Sequence, residues 1–201
     1  MKLKMKRDLI AATKISAAVL ATALAFAFLL GTSCGVPDEL KSAEGWYKKG
    51  KAYADDEMYG KAIECLTKAI AIDPEHEKSY SLRGYCYHSI VQYDEALADF
   101  EMALKLGNEK ADESYYYMGW TYYDMGNYEE AIICFTKVIE MHPNRARFYY
   151  DRGCAYKISG HLDEAEYDFR KACALGKSGG CEVVEDIVKD RIEREKNEKG
   201  D

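Results

Sequence analysis

Small, aromatic and apolar positions recur along this chain at a nearly constant step. Gly50, Gly84, Gly119 and Gly153 fall 34, 35 and 34 residues apart. Four residues before each glycine stands an aromatic (Trp46, Tyr80, Tyr115, Tyr149), and three residues after it a tyrosine (Tyr53, Tyr87, Tyr122, Tyr156). Twelve residues after it comes an alanine (Ala62, Ala96, Ala131, Ala165), then a large apolar residue (Leu66, Phe100, Phe135, Phe169), then Ala69, Ala103, Val138 or Ala172. Each trio has i, i+4, i+7 spacing, which is one face of a helix. The pattern predicts paired helices, with glycine and alanine allowing close approach and the aromatics filling the space around them. One such pair cannot bury its apolar face alone, so this period signals a stacked array.

Turns punctuate the array. Asp73-Pro74, Gly107-Asn108, His142-Pro143 and Gly176-Lys177 separate the pairs, and Gly126-Asn127 and Gly160-His161 turn the chain within two of them. From Cys181 to about Asn197 an amphipathic stretch places Val183, Val184, Ile187, Val188 and Ile192 on one face. The open end of an array needs such a cap, and the mixed charges of its polar face distinguish it from a membrane-surface helix. The tail 196–201 is expected to fray.

This pattern resembles the tetratricopeptide repeat family over residues 43–178, in units 43–76, 77–111, 112–145 and 146–178. Six places agree in all four units. The resemblance implies an all-α fold, a right-handed α-solenoid of four helix-turn-helix units closed by a capping helix in 179–201. It also implies a concave groove, lined by the first helix of each unit, that receives an extended peptide or partner helix. One departure is the place before each glycine, often leucine in the family and here Lys49, Arg83, Met118 and Arg152. Long cationic stems can lie along the stack with their heads in water.

The groove face carries the remaining aromatic signal, in a chain with 17 tyrosines. Tyr116, Trp120 and Tyr123 share one face of the third unit's first helix. Equivalent places hold Tyr47 and Lys51, Tyr85 and His88, and Tyr150 and Lys157; Arg147 adds a further cation. Tyrosine and tryptophan offer large contact area, few rotors and a polar tip. Chaperone-binding relatives grip a terminal carboxylate with Lys and Asn. The corresponding places here are Tyr47, Lys51, Leu82, Glu113 and Tyr117, so a carboxylate clamp is not expected.

Charge divides the chain. Residues 1–33 hold five cationic residues against Asp8, which leaves the rest at −11 within an overall −7. An acidic body of this size disfavours nucleic acid and anionic membrane faces. The basic start leads into an apolar run, Ile15 to Leu30, and then Gly31-Thr32-Ser33-Cys34, the layout of an export signal. The small residues before Cys34 resemble a bacterial lipobox, in which the cysteine is lipidated. Residues 34–42 would then tether the array to a bacterial envelope. An uncleaved membrane anchor and simple secretion remain alternatives.

Chemistry is sparse. His76, His88, His142 and His161 form no metal spacing, and no phosphate loop or catalytic motif occurs, so no cofactor or metal is implied. The acidic pairs Glu129-Glu130 and Asp163-Glu164 complement the dipoles of second helices. Cys65, Cys86, Cys134, Cys154, Cys173 and Cys181 leave two readings open: disulfides, pairing Cys65 with Cys86 and Cys134 with Cys154 across adjacent helices and Cys173 with Cys181 between the last unit and its cap, or free or mixed thiols packed as small hydrophobes, which is the favoured expectation. The expected function is non-catalytic protein binding in the groove. A thiol-dependent redox or metal-capturing protein, and a scaffold using its convex face, are the alternatives.

Overall fold

A computed structural model describes residues 42–107 and 111–199, with side chains of the last helix described through Lys189 and at Arg191 and Glu193. The expected export segment 1–33, the expected tether with Cys34 up to Lys41, residues 108–110 and the last two residues lie outside the described residues.

Nine helices follow one another there: α1 (Ala43–Asp55), α2 (Tyr59–Ile72), α3 (Glu77–Ser89), α4 (Tyr93–Lys105), α5 (Ala111–Asp124), α6 (Tyr128–Met141), α7 (Ala146–Ile158), α8 (Leu162–Ala174) and α9 (Ser178–Lys199). Ser42 caps α1 by accepting the Gly45 amide at 3.1 Å. Acidic pairs open α4, α6 and α8, where they face the exposed amides of the first turn. Among the described residues no helix is long and apolar enough to cross a membrane.

The helices pack as hairpins, α1 on α2 through α7 on α8. Each second helix also packs on the next first helix, α9 packs on α8, and neighbouring first helices touch from α1 to α5. This is an all-α solenoid. Its spine is the repeated alanine and aromatic set: Ala62, Leu66, Ala96, Phe100, Ala131, Phe135 and Ala165 have no exposed surface, and Phe169 almost none. The glycine opposite each large residue is a steric requirement. A methyl group on Gly119 would stand 2.6 Å from Phe135 Cε1.

The hairpin turns reach the left-handed region at one place. Gly126 and Gly160 occupy it with φ near +81 and +87°, and in the first two units the same place holds Glu57 at +59° and Val91 at +65°.

Arg83 and Arg152 correct the expectation that their heads lie in water. Arg83 forms two hydrogen bonds with Asp99, Nε to Oδ2 at 2.7 Å and Nη2 to Oδ1 at 2.8 Å, and donates through Nη1 to Thr67 of the preceding unit at 3.0 Å. Arg152 repeats the arrangement with Asp168 and Thr136. Both carboxylates are buried. The planar guanidinium satisfies both carboxylate oxygens at once, which makes burial of the pair tolerable. In the first and third units these places hold Lys49 with Cys65, and Met118 with Cys134. The staple therefore alternates along the array.

Candidate functional site

The first helices present a face with two cavities side by side. One, of about 360 Å³, is bounded by Tyr47, Lys51, Leu82, Tyr85, Glu113 and Tyr117. The other, of about 410 Å³, is bounded by Tyr59, Tyr85, His88, Trp120 and Arg147, with Tyr116 and Tyr117. Tyr85 and Tyr117 line both. Their rings belong to a continuous aromatic run: Tyr59 to Tyr85 at 6.1 Å, Tyr85 to Tyr117 at 4.9 Å, Tyr117 to Tyr116 at 5.5 Å and Tyr116 to Phe148 at 5.3 Å. Such rings, supplied by α2, α3, α5 and α7 and held tilted or edge to face, form a wall that loses little entropy on binding.

Tyr116 departs from the expectation of an open docking ring. It is 8% exposed and sits among Ala131, Phe135 and Val138. Its hydroxyl donates to Asp151 Oδ2 at 2.9 Å, and the Arg147 guanidinium lies 4.9 Å from its ring centre. Burial, and then the Asp151 charge, push the Tyr116 phenol well above its ordinary range. Burial also raises the Asp151 carboxyl, against hydrogen bonds and cations that lower it. A helix face is wide enough for both a core and a groove row. Tyr116 lies at the boundary and points into the stack, so it forms the floor of the groove.

The other expected residues divide by position. Tyr47, half-buried, stands 5.5 Å from the His76 ring, while Lys51 is exposed beside it. His88 Nδ1 pairs with Thr121 Oγ1 at 3.1 Å, and burial lowers its pKa against the opposing Asp124. Trp120 is half-buried, edge-on to Tyr123 and Phe135. Arg147 leaves 66% of its side chain exposed. Tyr123, Tyr150 and Lys157 line neither cavity. Tyr123 packs on Trp120 and Tyr128, and Tyr150 packs edge-on to Phe169 at 5.4 Å.

The row Glu113, Tyr117 emerges as part of the groove, with Tyr59 from a second helix. The signal for Tyr117 was its correspondence with clamp places. Tyr59 carried none, because it opens a second helix and reaches the groove only through the hairpin turn.

The thiols point away from nucleophilic chemistry. Burial pushes Cys86 up to about 12, and Cys134 and Cys154 to about 11, so at neutral pH they hold almost no thiolate. Cys65 is raised as well, by burial. Cys173 and Cys181 form a disulfide. Among the described residues no three His, Cys, Asp or Glu side chains gather as a metal site would require.

Tetratricopeptide repeat family models match residues 43–76, 113–145 and 134–167. The heat shock protein STI1 of Saccharomyces cerevisiae is 31% identical over 139 residues, 68% of this chain and 18% of its own length. The chain spans between 12% and 24% of the curated relatives it matches. The crystal structure of MamA is 30% identical, covers 68% of this chain and 80% of its own, and superposes with a TM-score of 0.64. YrrB, described as a repeat protein with an unusual peptide-binding site, is 20% identical over 77% of this chain and 80% of its own; its TM-score of 0.66 shows the shared fold alone. With six matching places in each of four stacked hairpins, the chain belongs to the tetratricopeptide repeat family.

Proposed function

We propose that this chain is a non-catalytic protein-interaction module that holds an extended partner segment in the groove of its first helices, from α1 to the start of α7. Tetratricopeptide repeats are protein-interaction modules. The observation that carries the reading here is the pair of adjoining cavities sharing Tyr85 and Tyr117. Together they offer aromatic faces, phenol hydroxyls and separated cations, Lys51 in one and Arg147 in the other. That lining suits stacking and hydrogen bonding along a backbone rather than capture of one carboxylate. The raised thiols favour binding over thiol chemistry.

We also propose that residues 1–41 hold the module at a bacterial envelope, by a lipid on Cys34 or by an uncleaved apolar anchor. The charge layout and the small residues before Cys34 support this. A second reading, a scaffold acting through its convex side, draws on Ile133 and Tyr167, equivalent residues of α6 and α8 that are 61% and 65% exposed.

The test is affinity capture from membranes with wild-type protein, Tyr85→Ala/Tyr117→Ala and Ile133→Ser/Tyr167→Ser. Loss of a captured protein with the first variant alone supports the groove. Loss with the second alone transfers function to the convex side. For attachment, Cys34→Ala should release the protein from membranes if the lipid is the anchor, and retention identifies the apolar segment instead.

A further inference from the structure

Cys173 lies in the last turn of α8 and Cys181 in the first turn of α9. Their disulfide closes a sequence separation of 8 residues, while Cys65, Cys86, Cys134 and Cys154 are free. The bond sits where the row of first helices ends. Lys177 Nζ stands 5.3 Å from the Tyr150 ring centre, and a methyl group on Gly179 would lie 3.5 Å from Tyr150 Cε2. Tyr150 in turn packs on Phe169. Gly180 is pressed so closely on α8 that a methyl group there would meet the Phe169 carbonyl oxygen at 2.8 Å and the Cys173 nitrogen at 3.1 Å.

The rest of the cap lies largely at the surface. Among the described residues of α9 only Gly180 is buried; Val183, Val184, Ile187 and Val188 are half-exposed. Arg191 bonds exposed Asp163 at 3.2 Å and buried Glu166 at 2.7 Å. Half-buried aliphatics and a half-exposed arginine some three turns away give modest stabilisation at the start of α9, so the covalent link is a large part of what keeps the first turn on Tyr150.

We propose that the Cys173–Cys181 disulfide is a redox latch on the C-terminal end of the groove, whose reduction frees the first turn of α9 from Tyr150 and Phe169. The reductant is a dithiol. One of its thiolates attacks a sulfur of the pair, the S–S bond breaks, and the departing cysteine leaves as a thiolate that takes a proton. The second dithiol sulfur then resolves the mixed disulfide. Two electrons pass to the protein, and the dithiol ends as a disulfide. The four free cysteines take no part: Cys65, Cys86 and Cys134 are buried, and half-buried Cys154 is held protonated. With the latch open, Tyr150 and the end of α8 become surface that a groove-bound segment can extend onto. Only this last consequence rests on the groove reading above.

The experiment uses the full chain, with no partner. Protein purified in air is alkylated with iodoacetamide and mapped by mass, then amide hydrogen exchange is followed with and without dithiothreitol. We expect Cys173 and Cys181 to be protected from alkylation until reduction. Reduction should speed exchange in 178–188 about tenfold, with a smaller rise in 147–158 and none in α1 to α4. Cys173→Ser/Cys181→Ser should show the reduced profile without reductant. Alkylation of both cysteines in the air-purified protein, or identical exchange before and after reduction, would overturn the latch. A failed latch leaves binding at Tyr85 and Tyr117 untouched, and a missing groove partner leaves the exchange result standing.

Discussion

Arg152 and Asp168 meet through two hydrogen bonds, Nε to Oδ2 at 2.7 Å and Nη2 to Oδ1 at 2.9 Å, between the two helices of the last hairpin. The third guanidinium arm donates to Thr136 of the unit before, at 2.9 Å. One side chain thus fixes a hairpin and its stacking on the preceding one. Asp168→Ala leaves a buried cation without its partner and should cost about 3–5 kcal/mol in urea unfolding. Replacing both residues by leucine should recover most of that loss. A single change that costs under about 0.5 kcal/mol would show the pair to be ornamental, since that is the scale of an unimportant surface site.

Gly119 tests how closely the two helices of a hairpin must approach. Gly119→Ala drives a methyl group into the Phe135 ring. The ring has no exposed surface, so the expected loss is about 1–3 kcal/mol, read as a lower unfolding midpoint. Gly60→Ala, whose new methyl meets nothing within 4 Å, is the control and should hold or gain stability.

Val91 offers the opposite sign. A β-branched residue at φ +65° is strained, and the side chain is 67% exposed, so little packing compensates. Val91→Gly, matching Gly126 and Gly160, should raise stability by about 0.5–1 kcal/mol, because relief of strain exceeds the added freedom of the unfolded chain. A lower melting temperature would show that Val91 packs more usefully than its exposure suggests.

His88 gives a pH dependence. Burial holds its pKa below the ordinary 6.5, with Asp124 opposing. A folded value below the unfolded one means that its stabilising contribution is complete above about pH 6.5 and is lost as pH falls through the folded value. Urea midpoints should therefore drop between about pH 7.5 and pH 5, and His88→Gln should flatten part of that drop. An unchanged slope in the variant would assign the effect to other groups.

For the groove, Tyr85→Ala and Tyr117→Ala should each weaken partner binding by about 2 kcal/mol or more, as central aromatic anchors do, while Tyr123→Ala stays near neutral. Tyr116→Phe should instead lower stability by about 1–3 kcal/mol, because Asp151 loses a buried donor. A binding loss at Tyr116→Phe with unchanged stability would return that residue to the docking surface.

Hairpins, their partners and their spine were legible because the same trios recur every 34 or 35 residues, and repetition filters out chance. The groove was legible only in part. Helix spacing identifies a face to within about one residue in 3.6, and Tyr116 and Tyr117 stand on either side of that margin. Spacing therefore indicated Tyr116, which packs on Phe135 and bonds Asp151, while its neighbour Tyr117 lines both cavities.

Periodicity along the chain determined the class of fold, the hairpin partners and the close approach at each repeat glycine, because these depend on residues a few turns apart. The tertiary structure alone decided that Arg83 and Arg152 are spent on buried carboxylates, that Asp151 closes over Tyr116, and that Cys173 finds Cys181. Each of those depends on the direction of a side chain across a helix interface, and a difference of one rotamer there separates a solvated cation from a structural staple.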